Sequence, residues 1–374
     1  MIRSLPFALA AHVLTVTSYG QAGTLDPSFG AGGIVETVAS ATGSQSNAVA
    51  VRTDGRILLA GTRNVTGGSE GAIVRYLSDG AVDLSFALNG YLFTSNGGTL
   101  AWVDIALRPD GKIVVVSIAD ANHDPILARF HMDGSPDSTF GIDGTAPLVH
   151  SPSAMVLDAD GMILVVGNTA TEHVIGRYME DGSPDLAFGS GGSVVNGLGA
   201  DVALGTSLVV QDDENILVAG SSTIAGEENV TVTRYTPTGS VDAGFGTGGT
   251  VTTRECGSTT ETAEGIAVQA DGRIVVGVDY EIGFVVLRYL ADGTLDPAFG
   301  VDGQVYTFVG ENQSYVKDII VQPDGALLVG GRALSEFRVG LRCGALPQRR
   351  IAGPFLRQCR HRHHLHLRCE LLAQ

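Results

Sequence analysis

Aromatic residues make up only 6% of this 374-residue chain and tryptophan occurs once, which counts against repeated sugar-stacking sites, since each needs its own ring. Basic residues are also short, 23 against 40 acidic ones, for a formal net charge of −17. A surface this negative repels nucleic acid and anionic membrane. Of the four cysteines only Cys256 lies in the body, whereas Cys343, Cys359 and Cys369 crowd the end, so a disulfide framework is unsupported. Past the first residues nothing approaches the roughly twenty apolar residues of a membrane helix. Lys, Leu and Ala rarely cluster at helical spacing. A nucleophile elbow, a His-Glu-x-x-His motif and a phosphate loop are all missing.

What is abundant is glycine, 51 residues, with many Val and Ile, a composition that favours strands and tight turns. One block recurs: an Arg-aromatic pair, a turn ending in Gly, an Asp, a Phe, and a glycine opening a β-rich run. It falls at Arg75, Asp83, Phe86; at Arg129, Asp137, Phe140; at Arg177, Asp185, Phe188; at Arg234, Asp242, Phe245; and at Arg288, Asp296, Phe299. Arg to Asp is always eight residues, Asp to Phe three, and Phe to glycine four, although the repeat varies from 48 to 57 residues. Rigid spacing inside a variable repeat marks a packed motif with loops outside it.

Each unit offers four short strands, in the first case Ala48–Val51, Ile57–Ala60, Ala72–Tyr76 and Tyr91–Thr94. Asp54-Gly55 reads as a two-residue hairpin turn with both residues at positive φ, repeated at Asp110-Gly111, Asp160-Gly161, Asp271-Gly272 and Asp324-Gly325 and replaced by Glu214-Asn215 in the fourth unit. Four-stranded meanders at this period predict an all-β fold, a β-propeller of about six four-stranded blades or a truncated seven-bladed ring. The block Asp should cap one helical turn, helped by Pro27 or Pro297 at its first position. The Phe should fill the space between blades, and Arg and Asp should bond each other. Five equivalent pairs are architecture rather than chemistry.

A half-copy, Leu25-Asp26-Pro-Ser-Phe29-Gly30, begins the repeats. Its strand, Gly33–Thr37, is expected to pair with the last set (Val316–Val321, Ala326–Val329, Phe337–Val339) and close the ring. Before it, Arg3, the apolar run Leu5–Val16 and Gly20-Gln-Ala22 predict a signal peptide over 1–22. The propeller is then 23–340 and an aberrant tail is 341–374. That tail holds seven Arg and one Glu, and its Cys359, His361, His363, His364, His366 and Cys369 lack framed metal-ligand spacing. Shifting allowed codons for Ala345–Leu365 by one base yields Arg-Tyr-Pro-Asn-Gly-Ala-Leu-Leu-Asp-Pro-Ser-Phe-Gly-Asn-Ala-Gly-Thr-Val-Thr-Thr-Phe, which restores spacings of eight, three and four. The tail is therefore expected to be frameshifted and disordered.

Units such as Arg288-Tyr-Leu-Ala-Asp-Gly-Thr-Leu-Asp-Pro-Ala-Phe-Gly300 and Val268–Val276 resemble the delta-60 repeat of bacterial exported proteins, over roughly Gly23 to Val339. The resemblance implies a β-propeller of unknown function in the envelope or outside the cell, with no catalytic residues to carry over. Phe86-Ala87 departs from the usual Phe-Gly. The expected function is an exported, monomeric, non-enzymatic binding, adhesion or scaffold module for a protein or glycan. The alternatives are a hydrolase or lyase with a channel site, and a calcium-dependent or sugar-binding protein. His123, His131, His150, His173, Cys256 and Trp102 each stand alone in their unit, so no catalytic, cofactor or metal site is assigned. Asp143 and Asp302 make no EF-hand-type loop, and the Asn-x-Ser/Thr triplets at Asn64, Asn229 and Asn312 matter only in a glycosylating host.

Overall fold

The computed structural model describes residues 24–95, 97–118, 124–148, 150–254, 262–280, 283–308, 314–334 and 339–346. The signal-peptide stretch, His123, Cys256, Asn312 and the tail beyond 346 lie outside them. Among the described residues there is no helix and there are six antiparallel meanders. The first is β1 (Ser44–Val51), β2 (Ile57–Val65), β3 (Gly68–Tyr76) and β4 (Tyr91–Thr94); the second is β5 (Trp102–Leu107), β6 (Ile113–Ser117), β7 (Ile126–Phe130) and β8 (Thr145–Pro147). The third is β9 (Ser151–Leu157), β10 (Ile163–Asn168), β11 (His173–Tyr178) and β12 (Ser193–Asn196); the fourth is β13 (Val202–Val210), β14 (Ile216–Ile224), β15 (Glu227–Tyr235) and β16 (Thr250–Thr253). The fifth comprises β17 (Ala263–Val268), β18 (Ile274–Tyr280), β19 (Gly283–Tyr289) and β20 (Gln304–Phe308). The sixth has three strands, β21 (Ser314–Val321), β22 (Leu327–Leu334) and β23 (Val339–Leu346), so it runs past Gly340, and a single bridge, Tyr280 to Ser314, ties it to the fifth.

The sheets stack face to face like a fan. Alternation sends neighbouring side chains into different cores: Ile113 and Val115 pack toward the first sheet while Val114 and Val116 pack toward the third. Each of the five seams holds the block Phe of one sheet, Phe86, Phe140, Phe188, Phe245 and Phe299 in turn. Burying one such ring stabilises by about 1.5–3 kcal/mol.

The block works as a clamp. Arg Nε donates to the Asp Oδ2 of its own sheet at 2.9, 2.7, 2.7, 2.7 and 3.0 Å, and the guanidinium lies 4.3–4.7 Å from the Phe ring centroid. The contact across the seam is to backbone: Arg75 donates to Met132 O, Arg129 to Glu180 O, Arg177 to Pro237 O and Arg234 to Ala291 O. The Asp caps a single hydrogen-bonded turn, which no second turn extends. In the first block Ser85 N–H donates to Asp83 Oδ1 and Phe86 N–H to Asp83 O.

Two further expectations need correction. In the hairpin only Gly55 has positive φ; Asp54 does not, and its Oδ1 instead accepts from Arg56 N–H. Gly55 N–H donates to Arg52 O and Arg52 N–H to Arg56 O, so the loop is the three-residue type with a left-handed third residue. In the fourth unit that third residue is Glu214 at φ +65°, and the equivalent pair is Asp213-Glu214, not Glu214-Asn215. The ring closure is not formed either: Gly33–Thr37 is no strand, β23 pairs with β22 alone, and no core joins the sixth sheet to the first among the described residues. The half-copy is engaged elsewhere, with Gly30 N–H bonded to Asp79 O of the first sheet.

Candidate functional site

The first strands β1, β5, β9, β13, β17 and β21 pack successively against one another and so line the inner edge of the fan. Each carries a β-bulge at the same station, leaving Asn47, Val103, Ser153, Thr206, Glu264 and Lys317 without a ladder partner. A bulge re-aims its side chain. Here an otherwise uniform frame presents an amide, an alkyl group, two hydroxyls, an acid and a base.

These groups bridge neighbouring inner strands. Asn47 Nδ2 donates to Trp102 O at 2.8 Å, Thr206 Oγ1 to Ala263 O, and Lys317 Nζ to Glu264 Oε2 at 3.1 Å. Three carboxyls accompany them. Asp104 Oδ2 accepts from Met155 N–H at 2.8 Å, Asp279 Oδ1 from Val316 N–H at 2.5 Å, and Asp318 Oδ1 from Ile319 N–H at 2.7 Å. Burial pushes Asp104 up to about 6, with the Asp318 charge adding to it. Burial and then repulsion from Glu264 push Asp279 up to about 7, and crowding by protein raises Asp318. Asp104 and Asp279, poised this way, can exchange protons near neutrality. Among the described residues no set of three or more His, Cys, Asp or Glu could hold a metal ion.

The residues singled out from sequence lie elsewhere. Trp102 is core between the first two sheets. His173 is buried, bonded through Nε2 to Tyr235 Oη at 2.5 Å, and burial lowers it to about 4. His150 is buried and lowered by the same cause, while His131 is exposed at 3.8 Å from Asp137. Asp143 and Asp302 hold left-handed turn positions. Asn229 is buried in β15, whereas Asn64 is exposed. Asp104, Asp279 and Asp318 were missed. The signal was an Asp-Ile pair at one station of two first strands, Asp104-Ile105 and Asp318-Ile319. Away from the inner edge, a groove of about 860 Å³ runs beside the outer strand β16, lined by Asn196, Ser222, Thr250, Thr252, Asp292 and Thr294 among others.

Residues 52–86, 108–140, 211–245 and 269–299 match a family model described as Domain of unknown function (DUF5122) beta-propeller. Each matched segment ends on a block Phe. With six meanders stacked face to face, the chain is a β-propeller repeat protein of unknown function. No curated protein matches it. Among solved structures it is similar to a protein from Lactobacillus plantarum (13% identity, 81% of this chain and 86% of that one, TM-score 0.48). It is also similar to a protein of unknown function from Bacteroides caccae (12%, 71% and 82%, 0.43), and to a gluconolactonase from Xanthomonas campestris (14%, 77% and 82%, 0.42). At TM-scores under 0.5 none of these bears on activity.

Proposed function

We propose that the chain is an exported, monomeric, non-enzymatic propeller of the delta-60 type that binds a protein or glycan ligand through its inner edge. The observation that supports this reading is the contrast between five uniform Arg-Asp-Phe clamps and six chemically different bulge residues, because selection for a rigid frame constrains the first set and leaves the second free to read a ligand. The test uses labelled full chain with intact bacterial cells and purified envelope polysaccharide. Saturable binding should fall at least tenfold when Asn47, Ser153 and Lys317 are all replaced by alanine with the circular dichroism unchanged. Binding that is indifferent to those changes overturns it.

A second reading, a hydrolase or lyase, is favoured by the raised carboxyls of Asp104 and Asp279 on the inner edge. It requires turnover of ester or glycoside substrates that follows groups near pH 6 and 7 and disappears in Asp104→Asn; turnover unchanged in that variant removes it. We also read the residues after 340 as the repeat one base out of frame. The ladder supports this, because Leu328 faces Ala345 and Leu327 faces Leu346, the stations where the first sheet sets Leu58 opposite Arg75 and Ile57 opposite Tyr76. The shifted frame puts Arg and Tyr at those two positions. Codons across Ala345–Leu365 that forbid the shifted text would refute it.

A further inference from the structure

The fourth sheet breaks the repeat on one face. Leu217, Ala219, Val230, Val232 and Val251 pack toward the fifth sheet, and Ile216 and Val218 toward the third. Alternation then puts Ser222 of β14, Thr231 and Thr233 of β15, and Thr250 and Thr252 of β16 on the third-sheet side. Thr231 faces Thr252 and Thr233 faces Thr250 across the ladder, the second pair with hydroxyls 3.1 Å apart. At the stations of Thr231 and Thr233 the first sheet has Ala72 and Val74, the second Ile126 and Ala128, the third Val174 and Gly176, and the fifth Val285 and Leu287. Ser222 is 2% exposed and its hydroxyl has no hydrogen-bond partner, a cost that a bound polar group would remove.

The groove of about 860 Å³ beside β16 borders this hydroxyl wall, and glycine clears it. The fourth block has Gly244 and Gly248 where the first has Ser85 and Asn89, the second Thr139 and Asp143, the third Ala187 and Gly191, and the fifth Ala298 and Asp302. Both glycines line the groove, and a Cβ at Gly248 would meet no atom within 4 Å. Asn196 is pinned at the groove wall: its Nδ2 donates to Tyr235 Oη at 2.8 Å and its Oδ1 accepts from Leu198 N–H at 2.9 Å, which leaves one amide N–H to offer. Among the described lining residues Asp292 alone is charged, and its Oδ1 already accepts from the N–H and the hydroxyl of Thr294 at 2.9 and 2.7 Å. Ile224 and Val241, both partly exposed, add apolar contact. A peptide strand finds little main chain to pair with, because β16 has four residues and the N–H and C=O of Thr250 are both bonded to Thr247.

We propose that this groove is a second binding site, separate from the inner edge, and that it takes a short uncharged oligosaccharide. Hydroxyls and an amide are the groups that exchange hydrogen bonds with a polyol, and here they come from Thr250, Thr252 and Asn196. The C–H faces of the sugar rings lie on Ile224 and Val241. A charged sugar gains nothing, since no cation lines the groove among the described residues.

The test titrates the full chain calorimetrically with maltohexaose, cellohexaose, xylohexaose and N-acetylated chitohexaose, with polygalacturonate and a Thr-Val repeat peptide as the charged and peptide comparisons. At least one neutral hexasaccharide should bind saturably. Gly244→Ser with Gly248→Asn rebuilds the side chains of the first block in the fourth; Asn89 already adopts φ +51° at the station where Gly248 has +62°, so the melting temperature should hold. Filling the groove in this way should weaken sugar binding at least about tenfold. Thr252→Val, the residue that the third sheet carries as Val195, keeps the shape and removes one hydroxyl. It should weaken binding about three- to tenfold, with Thr252→Ser restoring it. The proposal is overturned if none of the four sugars binds, if polygalacturonate or the peptide binds as tightly as the best of them, or if sugar binding ignores the groove variants. Sugar binding that is lost instead on replacing Asn47, Ser153 and Lys317 belongs to the inner edge and also overturns it.

Discussion

Arg129→Ala should destabilise the protein by about 3 kcal/mol, read as a drop in the urea midpoint at constant slope. Arg129 and Asp137 are 2% and 0% exposed and sit in the seam between the second and third sheets. Burial pushes the Asp137 carboxyl up, but hydrogen bonds from Thr139 and Lys112 and the charge of Arg129 outweigh it and hold the group well below the usual carboxylate range. Truncating Arg129 leaves that carboxylate charged with Lys112 Nζ, 3.0 Å away, as its remaining cation. The cut also removes the donor to Glu180 O and the cation over Phe140. Removing Lys112 as well should bring the loss toward 5 kcal/mol. Arg129→Met with Asp137→Leu should recover much of it, because two apolar groups in one dry seam leave no charge unpaired. If the double change is as costly as the sum of the singles, Arg129 and Asp137 do not couple, and the reading of the clamp as a buried charge pair fails.

The clamp was legible in the sequence because it is written five times. Constant spacing of Arg, Asp and Phe has one economical physical reading, a repeated contact, and the strands between them follow from alternation and glycine-bearing turns. Partner choice was less legible. Spacing alone could not say that Arg bonds its own Asp but the next sheet's backbone, since both partners lie within reach of one guanidinium. The turn type was misread because Asp-Gly fits two hairpin loops that differ only in the φ of Asp54. The inner edge was invisible for a different reason. A bulge has no residue preference strong enough to show through Asn47, Val103, Ser153, Thr206, Glu264 and Lys317, which share nothing but position. Asp104 and Asp279 gain their raised affinity for protons from burial between sheets, a tertiary property absent from any local window.

Those two carboxyls give the protein an alkaline weakness. Asp279 binds its proton up to about pH 7 when folded and up to its ordinary value of 3.8 when unfolded. The folded state thus holds more protons between those limits, and stability is full below pH 3.8 and lost as pH rises through 7. A shift of about three units is worth roughly 4 kcal/mol at 1.36 kcal/mol per unit, and partial solvent access brings the expected figure to about 2–4 kcal/mol. Asp104, at about 6, acts with the same sign over a window that closes one unit lower. His173 acts in the opposite direction. Its folded value near 4 against 6.5 keeps stability full above pH 6.5 and removes it as pH falls through 4. Between pH 4 and 6 the two raised carboxyls outweigh the one lowered imidazole, so wild type should lose stability as pH rises, with the loss complete shortly above pH 7. Asp279→Asn keeps an acceptor for Val316 N–H and removes the charge. It should match wild type near pH 4 and exceed it by about 2–4 kcal/mol at pH 8, measured by urea denaturation at both values. A difference that is the same at both pH values would mean that Asp279 ionises as freely folded as unfolded, and the inner edge would then lack the low-dielectric character on which its proton chemistry rests.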